Sequence, residues 1–313
     1  MTDRLLLVAT SPRLPAGLLS WPAWQALRSG PVFAAADSDQ VVAVRDAGIE
    51  VTLLAGTARE QAFAVRDRAR DGGVAVWLAG SDGDPEFARL LGDLAAREGG
   101  AEVEVVFGSY DPPGARLLDV VAVMDRLRAE CPWDRKQTHQ SLAHYLIEEA
   151  FETLDSIAEE DLDALREELG DVLLQVAFHS RLAEEHPEEP WSIDDVAGDL
   201  VDKMIRRHPH VFADVDVAGA EDVARNWEEI KRVEKGRTSV TEGIPLGQPA
   251  LTLAAKLQKR AESIGHPLPA GDGSLGARLF ALVAEARTAG EDPEEALRAY
   301  ARQYRDQIAA SER

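Results

Sequence analysis

Two acidic clusters, both in segments with a helical pattern, constrain this chain more than any other feature. Glu148, Glu149 and Glu152 are followed sixteen residues later by Glu168 and Asp171. Acids three residues apart lie on one face of a helix, so two such helices packed antiparallel would bring four carboxylates around one point. Ionised carboxylates held this close repel one another unless a cation lies between them. Because Mg²⁺ prefers oxygen ligands, the pattern predicts a magnesium site.

Spacing alone is weak evidence, because acidic residues number 56 of 313 and most charged helix faces are simply solvated. The apolar context strengthens it. Leucine, valine, isoleucine and phenylalanine recur among the acids in both segments, so neither helix is expected to be fully exposed. The apolar positions are Leu142, Leu146, Phe151, Leu154 and Ile157 in the first segment, and Leu165, Leu169, Val172, Leu173, Val176 and Phe178 in the second.

The sequence motifs around the acids resemble those of a known family. The first motif is Cys-Pro-Trp-Asp at 131–134, which is followed by Gln137 and Thr138. The two acidic motifs are Glu-Glu-Ala-Phe-Glu at 148–152 and Glu-Glu-Leu-Gly-Asp at 167–171. The last motif is Lys-Met-Ile-Arg-Arg-His-Pro-His-Val-Phe at 203–212. Together these motifs resemble the MazG family of nucleoside triphosphate pyrophosphohydrolases, whose mark is Glu-Glu-x-x-Glu, a spacer, and Glu-x-x-Asp. The resemblance covers about residues 115 to 237.

The resemblance implies hydrolysis of a nucleoside triphosphate, NTP or dNTP, between its α and β phosphates, which gives a nucleoside monophosphate and pyrophosphate. Positioning and charge neutralisation supply most of the catalysis in such chemistry, so no covalent nucleophile is required. Carried onto matching positions, the family roles make Glu149, Glu152, Glu168 and Asp171 the ligands of Mg²⁺. Glu148 would lie beside them, and we hypothesise that it orients or deprotonates the attacking water.

A basic segment is expected to hold the phosphates. The family resemblance gives this role to Lys203 and Arg207, with Arg206 between them, and side chains four residues apart on a helix can reach one anion. The alternative is a basic helix face that pairs with acids of this very acidic chain. Trp227 matches a family tryptophan near the nucleotide, where it could stack on a base, although a tryptophan on an amphipathic helix is more often part of a core.

Three histidines near these motifs, His179, His208 and His210, lack the spacing of a zinc or di-iron site. They are therefore predicted to serve in capping and packing.

The first 110 residues have a different pattern. Short runs rich in valine, leucine and alanine alternate with helix-like segments, which favours a small, mostly parallel α/β sheet domain. The strands are predicted at 4–10, 31–36, 50–56, 74–80 and 102–108. This region faintly resembles a tetrapyrrole methylase domain at roughly half length, and we interpret it as a scaffold or partner-binding part.

The last third resembles a MazG repeat whose middle is missing. Residues 249–265 resemble its opening, and 279–287 with 293–297 resemble its end, but small and polar residues fill 269–279 where the acidic helix should stand. A repeat without those acids cannot bind Mg²⁺ in the family manner. We therefore predict one active site per chain, with the degenerate repeat packing on the active part.

The predicted fold class is α+β and multidomain. A small truncated methylase-like α/β domain (1–110) is followed by an all-α MazG-type catalytic domain (115–237) and a helical degenerate second repeat (245–313). Because one chain supplies only part of a helical bundle, the family resemblance implies a homodimer.

The composition of the chain argues against some classes of binding partner. A net charge of −22 argues against nucleic acid and membrane surfaces, both of which require basic patches. The single cysteine, Cys131, fits the reducing cytoplasm. The sequence has no apolar stretch near the ~20 residues of a membrane span.

Two alternatives stay open. One is a catalytically silent nucleotide-binding regulatory protein of the same fold, which the complete set of acids and cations argues against. The other is a hydrolase of narrow specificity for one dNTP, since a few hydrogen bonds in the pocket decide such preferences.

Overall fold

The computed structural model describes residues 3–70, 73–98, 101–213, 215–234 and 239–312. The chain divides into two compact units, Met1–Ala197 and Gly198–Arg313. The sequence-based boundary at residue 110 falls inside the first unit, and the boundary at Arg237 lies outside the described residues. The three-domain division therefore stays a prediction.

The first unit begins with a five-stranded sheet in which every paired strand is parallel. Its strands lie in the order β3-β2-β4-β1-β5. The elements are β1 (Asp3–Ala9), α1 (Trp21–Leu27), β2 (Val32–Ala34), α2 (Asp39–Asp46), β3 (Val51–Leu53), α3 (Ala58–Arg68), β4 (Val74–Leu78), α4 (Pro85–Glu98) and β5 (Ala101–Phe107). All five strands lie where the sequence predicts them, so the small parallel α/β part of the fold class is confirmed.

The alternation of side chains along β1 builds a core on both faces of this sheet. Leu6 and Val8 pack in a cluster with residues of α1 and α2, whereas Leu5 and Leu7 pack with residues of α3 and α4. A strand covered on both faces reads as a continuous apolar run, which is the pattern of 5–8. Arg13, in the loop after β1, pairs with Asp111 and Asp119 and so fixes the sheet to the helices that follow.

Helices make up the remainder of the first unit. They are α5 (Arg116–Glu130), a single 3₁₀ turn (Asp134–Lys136), α6 (His139–Ala158), α7 (Leu162–Ala183) and the beginning of α8 (Ile193–Arg207), which carries the boundary between the units. Met124, Leu142 and Phe178 form the centre of a small core that α5, α6 and α7 share. The helical character predicted for this stretch is thereby confirmed.

Arg128 holds the connection between α5 and α6. Its guanidinium donates hydrogen bonds to the backbone carbonyls of Asp134 and Gln137, and it also pairs with Glu185. The guanidinium is 12% exposed, and hydrogen bonds from a charged donor are about twice as strong as neutral ones. This contact fixes the turn from which α6 starts.

The second unit is helical throughout its described elements. It contains the end of α8, then α9 (Pro209–Phe212), α10 (Ala220–Glu234), α11 (Ala250–Glu262), α12 (Leu275–Ala289) and α13 (Pro293–Ser311). Gln258 of α11 is buried, donates a hydrogen bond to the Phe280 carbonyl and accepts one from Arg287. No helix occupies 264–274, and α12 begins at Leu275, inside the stretch 269–279 from which the sequence predicts that the acidic helix is missing. The degenerate repeat stays a prediction.

No helix among the described residues is long and apolar enough to cross a membrane.

A strained residue joins the two acidic helices. Glu160 has φ = +56°, a left-handed conformation that favours glycine. We expect Glu160→Gly to stabilise the protein by about 1 kcal/mol, which thermal unfolding would detect. The matched control is Glu159→Gly, where φ is −83° and glycine only adds freedom to the unfolded chain, so unfolding should occur at a lower temperature. Equal effects of the two changes would contradict the assignment of strain to Glu160.

Candidate metal and nucleotide site

The hairpin of α6 and α7 positions the acids. Thr138 caps α6 by accepting a hydrogen bond from the Ser141 amide, and the Ser141 hydroxyl accepts one from the Thr138 amide. Asp161 caps α7 by accepting from the Asp163 and Ala164 amides. Reciprocal capping of this kind sets where a helix begins. The three-residue connection at 159–161 then makes the two helices antiparallel neighbours.

Three of the predicted metal ligands converge. Carboxylate oxygens of Glu149, Glu152 and Glu168 all lie within 4.8 Å of one another, and they form the one such acidic, histidine or cysteine group among the described residues. Glu149 and Glu152 come from adjacent turns of α6, and Glu168 comes from α7. Glu149 and Glu168 are half-buried, whereas Glu152 is exposed. An all-oxygen set of carboxylates fits Mg²⁺ and leaves room for water or phosphate oxygens.

The acids of this group disfavour one another's ionised forms. Burial, and then the negative charges of Asp171, Glu152, Glu148 and Glu168, raise the pKa of Glu149. Burial, and then Glu152 and Asp171, raise the pKa of Glu168. Nearby like charges and desolvation both disfavour the ionised form. A bound cation would reverse these effects, so the group is better suited to hold a metal than to stand empty.

The other two predicted acids lie beside the group. Asp171 acts on both Glu149 and Glu168 through its charge, and exposed Glu148 acts on Glu149. Neither belongs to the set of three oxygens within 4.8 Å. The structure thus brings all five acids into one neighbourhood, with three of them in mutual contact range.

The predicted cations lie in the second unit, and the structure ties two of them to an acid. Arg207 donates from Nε and Nη2 to one carboxylate oxygen of Glu234, at 3.0 and 2.7 Å. Arg206 donates from Nε to the other oxygen at 2.7 Å. These hydrogen bonds, first from Arg207 and then from Arg206, lower the pKa of Glu234. No ion pair joins Lys203 to an acid within the described ranges.

Trp227 lies beside the group formed by Arg206, Arg207 and Glu234, which we call the cationic cluster. The Arg207 guanidinium carbon lies 5.5 Å from the centre of the Trp227 ring, and the Lys231 ammonium lies 5.4 Å from it. His208 meets the ring edge-on at 4.8 Å. Trp227 is only half-buried, and the two cations near its ring lie within the range of cation–π contacts.

Glu234 was not predicted from the sequence as a member of the site. Its signal was its position seven residues after Trp227, which places both on one face of α10. An acid on an acidic chain has no distinguishing context until its partners are known. The predicted alternative role of Arg206 and Arg207, pairing with an acid, therefore holds in the structure beside the phosphate role, which stays a prediction.

The histidines pack and cap, as predicted for His179 and His208. His208 Nδ1 lies 2.7 Å from the Met204 carbonyl near the end of α8. His139 and His179, at the open end of the hairpin of α6 and α7, have Nδ1 atoms 2.8 Å apart and nearly parallel rings. Burial and then the neighbouring His139 lower the pKa of His179. The pair holds the start of α6 against the end of α7.

Comparisons with known proteins match the part of the chain that carries the acids. The model of the MazG nucleotide pyrophosphohydrolase domain matches residues 137–212, which contain all five acids. A nucleoside triphosphate pyrophosphohydrolase/pyrophosphatase MazG of Thermotoga maritima is 38% identical over 214 residues, which are 59% of this chain and 81% of that protein. The chain belongs to the MazG family of nucleotide pyrophosphohydrolases, so the family and the class of enzyme predicted from the sequence are confirmed.

Two further relatives define the extent of the likeness. An uncharacterized 26.1 kDa protein of Streptomyces cacaoi is 54% identical over 199 residues, which are 62% of this chain and 82% of that protein. The nucleoside triphosphate pyrophosphohydrolase of Mycobacterium tuberculosis is 48% identical over 150 residues, 48% of this chain and 46% of that protein. The chain thus matches about half the length of the mycobacterial enzyme.

The raised pKa values generate a prediction about the metal-free protein. Because the folded state raises the pKa of Glu149 and Glu168 above the ordinary value of 4.5, folding carries a penalty at neutral pH. The penalty is absent below about pH 4.5, grows as pH rises through the raised pKa, and is complete above it. Glu149→Gln and Glu168→Gln should therefore each raise the unfolding temperature at pH 7.5 in EDTA, by about 1–3 °C.

The measurement is thermal unfolding of each variant against the wild type at pH 4.5 and pH 7.5. The gain should shrink at the lower pH, where the wild-type carboxyl groups are themselves protonated. Added Mg²⁺ should reverse the order at pH 7.5, since only the wild type keeps the full set of ligands. A loss of stability in EDTA at pH 7.5 would contradict electrostatic strain at this site.

Proposed function

We propose that this chain is a Mg²⁺-dependent nucleoside triphosphate pyrophosphohydrolase. It cleaves NTPs or dNTPs between the α and β phosphates to a nucleoside monophosphate and pyrophosphate. In this way it would serve in the house-cleaning of nucleotide pools. One observation carries the proposal: the oxygens of Glu149, Glu152 and Glu168 within 4.8 Å of one another. The names of the relatives from Mycobacterium tuberculosis and Thermotoga maritima support the same reaction class.

The four carboxylates Glu149, Glu152, Glu168 and Asp171 would hold the metal. Mg²⁺ would supply a positive charge that neutralises the triphosphate and its developing charge. Glu149 and Glu168 are half-buried and gain the most from that charge, because their ionised forms are the ones that burial disfavours. Glu152, which is exposed, can adjust its side chain as the phosphate oxygens arrive.

Glu148 is suited to the attacking water. It lies beside the ligand group, is exposed, and contributes charge to Glu149 without being one of the three converging acids. A carboxylate next to a metal site can orient a water and accept its proton. We propose this role for Glu148, while Lys203, Arg206 and Arg207 hold phosphate oxygens and Trp227 contacts the base.

The exposed apolar surface of α6 and α7 supports the proposed homodimer. Leu146, Ile147, Ile157 and Leu169 are between 40% and 58% exposed in a single chain. Apolar side chains grouped on helices that also carry a binding site are typical of surfaces covered by another helix layer. A cytoplasmic location and a scaffold role for the sheet domain remain predictions from the sequence.

A product assay tests the function. The full chain is incubated with each common NTP and dNTP, with Mg²⁺ or with EDTA, and the products are separated by ion-exchange chromatography. We expect monophosphate plus pyrophosphate, in the presence of Mg²⁺ only. Diphosphate plus phosphate would overturn the proposed cleavage site, turnover in EDTA would overturn the metal, and no turnover would favour the silent regulatory alternative.

Glu152→Gln tests the site itself. Loss of one charged ligand should lower kcat by roughly 100-fold or more. Glu159→Gln is the matched control, because it removes an acid from the exposed end of the same helix, α6, and should leave turnover near that of the wild type. Equal activity of the two variants would contradict the assignment of Glu152. A turnover confined to one dNTP would establish narrow specificity.

A further inference from the structure

Glu234 lies at the centre of the cationic cluster in the second unit. Its side chain is 18% exposed, and the Arg207 side chain that it binds is 10% exposed. Each of its two oxygens accepts from a different arginine: Oε1 from Arg206 and Oε2 from Arg207. One acid thus holds two guanidinium groups, which would otherwise repel each other, on the same side of α10.

The geometry fixes the orientation of Arg207. Glu234 takes the Nε and Nη2 edge of the guanidinium, and the Trp227 ring lies 5.5 Å from its central carbon. A guanidinium has five N–H donors in a rigid plane, so fixing one edge also fixes the other. Nη1 of Arg207 makes no hydrogen bond to another part of the described chain. The contact with Glu234 therefore also sets the orientation of the edge that contains Nη1.

The charge of the cluster is consistent with anion binding. The two arginines and Glu234 together carry a net charge of +1, because hydrogen bonds from Arg207 and Arg206 keep Glu234 ionised. The Lys231 ammonium also lies near the Trp227 ring. The cluster can attract phosphate while Glu234 prevents the arginines from separating. An ordinary structural ion pair would need neither a second arginine nor an aromatic ring beside it.

We propose that Glu234 is a positioning residue for hydrolysis, which acts through Arg207 by holding the Nη1 edge of its guanidinium in place for a phosphate oxygen of the substrate. This inference rests on the proposed function. Fixed donors aimed at developing charge act mainly in the transition state. The negative charge of Glu234 also weakens ground-state attraction for the triphosphate, so its loss should not raise KM.

The first test is the kinetics of Glu234→Gln in the full chain. We expect kcat to fall by about 10- to 100-fold, with KM unchanged or lower. Glu234→Asp, which keeps the charge, should recover part of the lost kcat. Glu262→Gln is the matched control: it removes the acid from the Arg287 pair, 2.7 Å long, in the same unit, and should leave kcat unchanged.

The second test separates positioning from a general structural role. In the Arg207→Lys background, Glu234→Gln should lower kcat much less than it does in the wild type, because a lysine has no planar edge for Glu234 to orient and only the contact with Arg206 remains. Two independent, multiplying losses would overturn the proposal. So would a loss of kcat that merely follows the fraction of folded protein, measured by circular dichroism in each variant.

The outcomes distinguish this inference from the proposed function. Wild-type turnover to monophosphate and pyrophosphate, with Glu234→Gln as active as the wild type, overturns the role of Glu234 alone. A wild type that fails to hydrolyse any nucleoside triphosphate overturns the proposed function and the role of Glu234 with it. Wild-type turnover with a lowered kcat, constant KM and non-additive loss supports both.

Discussion

Repulsion between carboxylates on α6 and α7 is the constraint on which the site depends. Glu149, Glu152 and Glu168 are held within 4.8 Å by helices whose caps and short connection determine their register. Burial and like charge both oppose ionisation there. The hairpin is thus folded against an electrostatic cost, and such costs are typical of functional sites, where neighbouring structure holds a destabilised arrangement in place.

The rest of the first unit supplies the stability that this arrangement requires. The small core around Leu142 and Phe178 joins the hairpin to α5, and Arg128 fixes the turn before α6 through two backbone carbonyls. The His139 and His179 pair closes the open end of the hairpin. These contacts lie at the ends of the helices, whereas the acids occupy their middle, so loss of a single acid leaves the supporting contacts intact.

Periodicity and motif order were sufficient to predict much of this structure. The strand predicted at 4–10 is identifiable because both faces of β1 are buried. The acids of α6 and α7 are identifiable because their spacing matches a helix and a family pattern. What the sequence could not predict depends on contacts between distant positions. The position of Glu234 seven residues after Trp227 does not distinguish it from other acids of this chain, and only its distances to Arg206 and Arg207 show that it joins the cationic cluster. The contact between the Nδ1 atoms of His139 and His179 also joins residues that are forty positions apart in the sequence, so the sequence could not predict it.

The C-terminal helices pack without a converging group of acids. In α11 and α12 the buried polar contact is Gln258, which donates to the Phe280 carbonyl and accepts from Arg287, and no acidic group of three converges in the described part of that unit. A buried amide with both of its ends satisfied contributes to a unique packing without unpaired charge. The carboxylates of α6 and α7 make the opposite contribution, since they disfavour the folded metal-free state. Their presence is therefore explained by what they bind, and the fold is explained by the contacts around them.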